Sequence, residues 1–316
     1  VAMSNRRHFI RNTALGIAAV YSPMAFSWLD PNRSIGISKP RISLAQWSLN
    51  RAFFAGDLNP EHFARIAAED YQIQAVEYVN AFYTDKGKDS AFWKKMRQSA
   101  EDAGVQSLLI MVDDEGELGA KNDSKRVIAV ENHYKWIEAV KILGGHSIRV
   151  NAFGKGNRKQ LKGALTDGLG RLAEFGKSME VSVLVENHGL HTSDAEYMVS
   201  IIKEVDNPYL GTLPDFGNWC LSAEWGSIQN PCDERYDPYR GVNEMMRYAK
   251  GVSAKSYEFD DLGEETRINY QQMLSIVKRA GYQGYVGIEY EGSKLDEDAG
   301  IRATKKLLER VHDQLG

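Results

Sequence analysis

Eight short apolar segments punctuate the chain, at 41–47, 73–79, 105–112, 146–152, 181–187, 210–216, 251–257 and 285–291, each of strand length and most rich in β-branched residues. Longer stretches with helical periodicity separate them. In 127–143, Val127, Val130, Tyr134, Ile137 and Val140 recur at the spacing of one buried helical face. The punctuation agrees: Asn59 before Pro60 reads as a cap with proline at the first helical position, Ser193 with Glu196 reads as a capping box, and Gly104 and Gly281 stand where a helix stops. Strands about thirty to forty residues apart leave room for the crossover helix that parallel pairing requires. The pattern predicts an α/β fold, a single-domain (β/α)8 TIM barrel over 41–316. No G-x-G-x-x-G follows the first strand, which disfavours a dinucleotide-binding doubly wound sheet.

Side chains alternate between the barrel interior and the helix layer along each strand. In the fifth strand the valines at 181, 183 and 185 take the helix side, which turns Ser182, Leu184 and Glu186 inward. In the eighth, Val286, Ile288 and Tyr290 face the helices and Gly287, Glu289 and Glu291 face the axis. Asp215 ends the sixth strand. Glu186, Asp215 and Glu289 therefore fall at the C-terminal rim, where barrel enzymes build their sites. The same alternation brings Glu77, Asn151 and Lys255 to that rim, with Gln46 from the first strand. His188, of the same parity as Glu186, is a candidate contact to substrate or metal. Gathered carboxylates raise one another's pKa, and a divalent cation removes that conflict. The competing reading is that each acid caps a strand end or pairs with an inward cation such as Arg149. Lys255 has two readings as well: a Schiff-base amine, which needs a depressed pKa, or a counter-charge to the rim acids.

Composition narrows the partners. The 316 residues are 43% hydrophobic and 26% charged with a formal net charge of -4. No basic run extends far enough to track a phosphate backbone, so a small-molecule partner is expected and nucleic acid is not. One segment departs from the rest: 4–26 begins with Arg6 and Arg7 and continues into a mild apolar stretch, the pattern of a twin-arginine export signal, followed by a linker at 27–40. The expectation is a periplasmic or otherwise extracytoplasmic protein with no membrane attachment once that signal is removed. Cys220 and Cys232 share one loop and read equally as a pair or as free thiols. That loop, 216–240, carries Trp219, Trp225, Tyr236 and Tyr239. Its aromatics, Trp219 foremost, suit a lid that stacks on sugar rings; the alternatives are a satellite core or a homo-oligomer interface.

With these residues assembled, "LVENHG", "LPDFGN" and "VGIEYEG" together resemble the xylose isomerase-like superfamily of sugar phosphate isomerases and epimerases, over about residues 41 to 316. The resemblance implies a metal-dependent sugar isomerase or epimerase with one divalent ion (Mn, Mg, Co or Zn) held by Glu186, Asp215 and Glu289. It implies acid and base roles for Glu186 and Glu289 on a carbohydrate substrate; the rim alternation adds Lys255 to the catalytic candidates and Glu77, Asn151 and His188 to the substrate contacts, and the loop adds Trp219. The chain departs from the pattern at two places. Ser253 stands where relatives carry a metal-binding histidine, and Asn218 where many carry a second histidine after the aspartate. Two further readings stay open: a lyase or hydrolase acting on 3-keto-glycosides with the same metal and bases, and a sugar-binding barrel without catalysis. The apurinic endonucleases share the fold but need a histidine-rich zinc cluster that this chain lacks.

Overall fold

The computed structural model describes residues 40–229 and 231–316. The twin-arginine-like segment, the localisation read from it, and all of the linker except Pro40 lie outside the described residues. The described residues belong to one compact unit, Ser38–Gly316. Each apolar segment forms its strand: β1 Ile42–Ala45, β2 Ala75–Val79, β3 Gln106–Val112, β4 Ser147–Val150, β5 Ser182–Glu186, β6 Leu210–Leu213, β7 Val252–Ser256 and β8 Val286–Tyr290. The intervening helices are α1 Asn50–Ala55 and α2 Phe63–Tyr71 after β1, then α3 Ser90–Asp102, α4 Asp123–Leu143, α5 Arg158–Met179, α6 Ala195–Val205, α7 Pro238–Met245, α8 Tyr270–Arg279 and α9 Glu297–Leu315. None of the helices among the described residues is long and apolar enough to cross a membrane.

All strand pairs are parallel, in the order β6-β5-β4-β3-β2-β1-β8-β7. Between β6 and β7 the ladder shrinks to two isolated bridges, Thr212 with Ala249 and Asp215 with Ser253. Pro214 lies between the two β6-side residues and has no N–H to give a ladder, so its carbonyl alone takes part, accepting from Ser253 N at 3.0 Å. The ring closes at this narrow seam.

The predicted alternation holds. Val76, Tyr78, Val183, Val185 and Ile288 pack in the layer between barrel and helices, with Phe63, Trp93, Leu169 and Met198. Ala45, Val79, Met111, Leu184 and Leu213 fill the barrel interior. Each valine, leucine, isoleucine, phenylalanine or methionine so buried stabilises the fold by roughly 1.5–3 kcal/mol. Helix starts follow the polar punctuation, with Asn122, Asn157, Asn269 and Asp296 accepting from the backbone N–H three residues on. One cap differs from expectation: Asp194, not Ser193, caps α6. Ser193 instead donates its hydroxyl to the Asn218 carbonyl at 2.6 Å and accepts from Gly189 N.

Glu77 corrects the predicted rim set. β2 runs two residues past it to Val79, so its carboxylate lies partway down the barrel axis and lines a cavity of about 140 Å³ at the N-terminal end, with Arg41, His146 and Lys250. Ser43 donates to its Oε1 at 2.6 Å, while Oε2 is buried without a partner. A Cβ on Gly287 would sit 2.6 Å from Oε1, which is why β8 carries glycine there. Burial, opposed by the Ser43 bond, pushes this carboxyl up to about 7. Between about pH 4.5 and 7 the unfolded chain ionises while the folded carboxyl keeps its proton, so folding stability falls as pH rises through this window. At about 1.4 kcal/mol per pH unit the loss is roughly 3 kcal/mol. Glu77→Gln should match wild type near pH 4 and exceed it by that order above pH 7. Urea unfolding at the two pH values checks this, and equal stability at alkaline pH would refute it.

Candidate active site

Glu186 at the end of β5, Asp215 just past β6 and Glu289 in β8 each turn inward at the C-terminal end of the barrel. One carboxylate oxygen from each lies within 4.8 Å of the others, and all three residues are buried. Water-poor surroundings work against three negative charges at this separation. Burial, reinforced by Glu289, raises the Asp215 carboxyl to about 6 despite the nearby Lys255 ammonium. Burial also lifts Glu186 well above the ordinary carboxylate range, with Arg149 opposing and Glu289 and Asp215 adding to the rise.

The residue at the expected histidine position, Ser253 on β7, enters this cluster directly. Its Oγ lies 2.6 Å from Asp215 Oδ2 and 2.8 Å from Glu289 Oε2. A hydroxyl has one proton to donate, so the two contacts are both hydrogen bonds only when one carboxyl carries a proton itself. Lys255, two residues on, is fully buried with Nζ 3.1 Å from Glu289, 3.2 Å from Glu291 and 3.7 Å from Asp215. Burial disfavours its charge, yet Asp215, Glu289 and Glu291 outweigh burial and hold the ammonium well above the usual lysine range. Of the two readings for Lys255, the geometry supports the counter-charge.

A second polar chain supports Glu186 from the β3–β4 side. Arg149 Nε approaches Glu186 Oε2 at 2.9 Å, although that N–H is poorly aligned, and its Nη1 binds Asp113 Oδ1 at 2.6 Å. Asn151 donates Nδ2 to the same Asp113 oxygen at 2.6 Å and accepts from His188 Nδ1 at 2.7 Å. Because a carboxylate oxygen only accepts, Asp113 fixes which way the Asn151 amide points, and the amide oxygen then fixes the proton on His188 Nδ1. Burial, with Arg149 and Lys255 adding, keeps His188 well below its ordinary pKa and therefore neutral. Asp113 was not singled out from the sequence. It follows β3 with the parity of Leu109 and Met111, so the alternation rule extended one residue past the apolar run would have found it.

The loop after Asp215 folds over this end of the barrel and pairs with the β5 loop through Gly189 and Glu224. Gly189, at φ +91°, is required there, since a Cβ would lie 2.3 Å from the Ala223 carbonyl. A disulfide joins Cys220 and Cys232 across the loop. Trp225, 42% exposed, stands edge-on to the His188 ring at 4.8 Å, and Phe153 adjoins both. Trp219 is a correction: its ring lies against the bare Cα of Gly241 on α7 and beside Tyr236 and is buried in the main core cluster between barrel and helices, so it is a core residue and not a lid aromatic. Gln46 is also committed elsewhere, donating to Tyr83 Oη and accepting from Val79 N. On the β1–β2 side Trp47 and Phe82 cover the interior apolar cluster, and Phe54 packs on both.

The donor set suits a hard divalent ion. Five carboxylates, on Asp113, Glu186, Asp215, Glu289 and Glu291, share this region with the side-chain cations of Arg149 and Lys255, leaving negative charge in excess. The triad could hold such an ion, with Glu186, Asp215 and Glu289 each offering one oxygen.

Residues 66–311 match the family model described as xylose isomerase-like TIM barrel. Among solved structures, a D-tagatose 3-epimerase-like protein aligns with a TM-score of 0.62 at 17% identity, over 87% of this chain and 100% of its own. The 3-keto-D-glucoside 4-epimerase from E. coli aligns with a TM-score of 0.64 at 16% identity, over 85% and 99%. An IOLI protein with a bound zinc atom aligns at 0.62 and 14% identity, over 87% and 98%. At these identities the likeness is one of fold. No curated protein sequence matches the chain.

Proposed function

The chain belongs to the xylose isomerase-like TIM-barrel family, and from that premise we propose that it is a metal-dependent sugar isomerase or epimerase that moves a proton at a carbon beside a sugar carbonyl. The observation that carries this reading is the convergence of two glutamates and an aspartate within 4.8 Å at the C-terminal end of the barrel. A divalent cation held by Glu186, Asp215 and Glu289 would supply the positive charge that polarises a substrate carbonyl. The chain's own groups do the rest. Glu186 and Glu289 stand as base and acid: one removes the proton, the other returns it to the neighbouring carbon or the opposite face. The Lys255 ammonium, 3.1 Å from Glu289, offsets negative charge that grows on the substrate oxygen as the proton leaves. His188 and Trp225 form an aromatic wall suited to the apolar face of a sugar ring. Action in the periplasm is part of the proposal, supported only by the Arg6–Arg7 pattern.

Incubation in D2O with manganese and either a free ketose or a 3-keto-glucoside, read by NMR and mass spectrometry, tests the reading. The expected result is deuterium at the carbon beside the carbonyl with the carbon skeleton intact. Cleavage of the glycoside would establish the lyase or hydrolase reading instead, and saturable binding with neither exchange nor product would leave a sugar-binding barrel.

A further inference from the structure

Resting on the metal-dependent reading above, we infer that the ion is bound by oxygen alone, with the Asn218 side-chain carbonyl as the fourth protein donor, so that the site favours magnesium or manganese over zinc more than an imidazole-bearing site would. Nitrogen and sulfur donors are what normally draw zinc into a protein site, whereas carboxylate and carbonyl donors suit hard cations. The geometry removes the available nitrogen. His188 is the imidazole beside the triad, with Nδ1 3.6 Å from Glu186 Oε2, but the proton on that nitrogen is committed to Asn151, the ring is held between Phe153 and Trp225, and neither ring nitrogen joins the three acid oxygens that lie within 4.8 Å of one another. Ser253 is committed as well, lying between Asp215 and Glu289 as a hydrogen-bonding hydroxyl.

Asn218 remains. It is 1% exposed, its amide Nδ2 lies 3.3 Å from Glu186 Oε1, and its Oδ1 is buried with no partner. The Oδ1 therefore has no hydrogen bond to lose, and the only side-chain contact given up when the amide turns is the long one from Nδ2 to Glu186. A half-turn of the amide exchanges Nδ2 and Oδ1, so the side chain can present its oxygen on the Glu186 side without moving the backbone. That backbone is well anchored: Asn218 N donates to Asp215 Oδ1 at 2.9 Å, and its carbonyl accepts from Ser193 Oγ and Asn187 Nδ2. The residue is thus tied to one triad member through its main chain and faces another through its side chain.

Titration calorimetry of the metal-stripped protein with manganese, magnesium and zinc tests this, together with electron spin echo spectroscopy of the manganese form. Asn218→Ala should weaken manganese binding by about tenfold or more, the order by which loss of a supporting metal contact lowers affinity. Asn218→Asp should retain it, His188→Ala should leave it within about twofold, and Asn218→His should raise the zinc-to-manganese affinity ratio at least about tenfold. Wild type should show no modulation from a directly bound imidazole nitrogen, and Asn218→His should show it. Unchanged manganese affinity in Asn218→Ala, or nitrogen modulation in wild type, overturns the inference while leaving the proposed reaction standing. A wild-type protein that takes up none of the three ions overturns both. Circular dichroism of each variant separates lost ligation from lost folding, and the wild-type spectrum needs no variant at all.

Discussion

Glu289→Gln is expected to lose deuterium exchange into the substrate by about 10²–10⁴-fold, the range over which a positioned acid or base contributes. Glutamine keeps the shape and one oxygen, which Lys255 can approach, while Ser253 Oγ can accept from the amide nitrogen and donate to Asp215, and the fold should survive. What disappears is a group that can take or give a proton. Glu186→Gln is expected to fall by a similar factor, for a second reason as well: Arg149 would keep only Asp113 as a charged partner and the site would lose negative charge for the ion. Each variant is measured by the same D2O assay beside a thermal unfolding curve. Exchange within tenfold of wild type in either one would remove that glutamate from the chemistry.

Lys255→Met carries the largest expected effect on stability. The side chain is buried among Asp215, Glu289 and Glu291, and methionine reaches as far as its Cε while removing the charged nitrogen. Breaking a buried ion pair by deleting one partner typically costs about 3–5 kcal/mol, because the other charge stays buried and uncompensated. The sign of the pH dependence follows. Without the ammonium the carboxyl of Asp215, already raised to about 6, moves higher still, so the folded state holds its proton where the unfolded chain has released it. The deficit relative to wild type should therefore be small near pH 4 and largest above pH 7. Saturating manganese should restore part of it, since an ion that binds only the folded chain stabilises by mass action. A variant as stable as wild type at alkaline pH would show that Lys255 is not the counter-charge.

The strands were legible because their signal is local. Each apolar run became a strand within a few residues, and parity alone separated Val183 from Leu184 and Ile288 from Glu289. The same rule brought Glu186, Asp215 and Glu289 to one place. It misjudged Glu77 because parity gives the face of a strand and not the height, which depends on where the strand stops. Trp219 failed for a different reason: beyond Asp215 the backbone leaves the strand conformation, so period-two alternation no longer says which way a side chain turns. Loop aromatics are placed by long-range docking, and neither the Gly189–Glu224 pairing nor the gap at Gly241 is written in neighbouring residues. The pairing of Cys220 with Cys232 was open for the same cause, since spacing permits a bond without requiring one.

The narrow join between the sixth and seventh strands has a mechanical meaning. Pro214 denies that join a regular ladder, and what fastens it at the upper end is the Asp215–Ser253 pair, through both main chain and side chain. The hoop is buckled through Asp215, one of the three acids that could hold an ion. A descendant that discarded Asp215 would therefore have to find another clasp, so loss of the acid and preservation of the cylinder pull on the same few atoms.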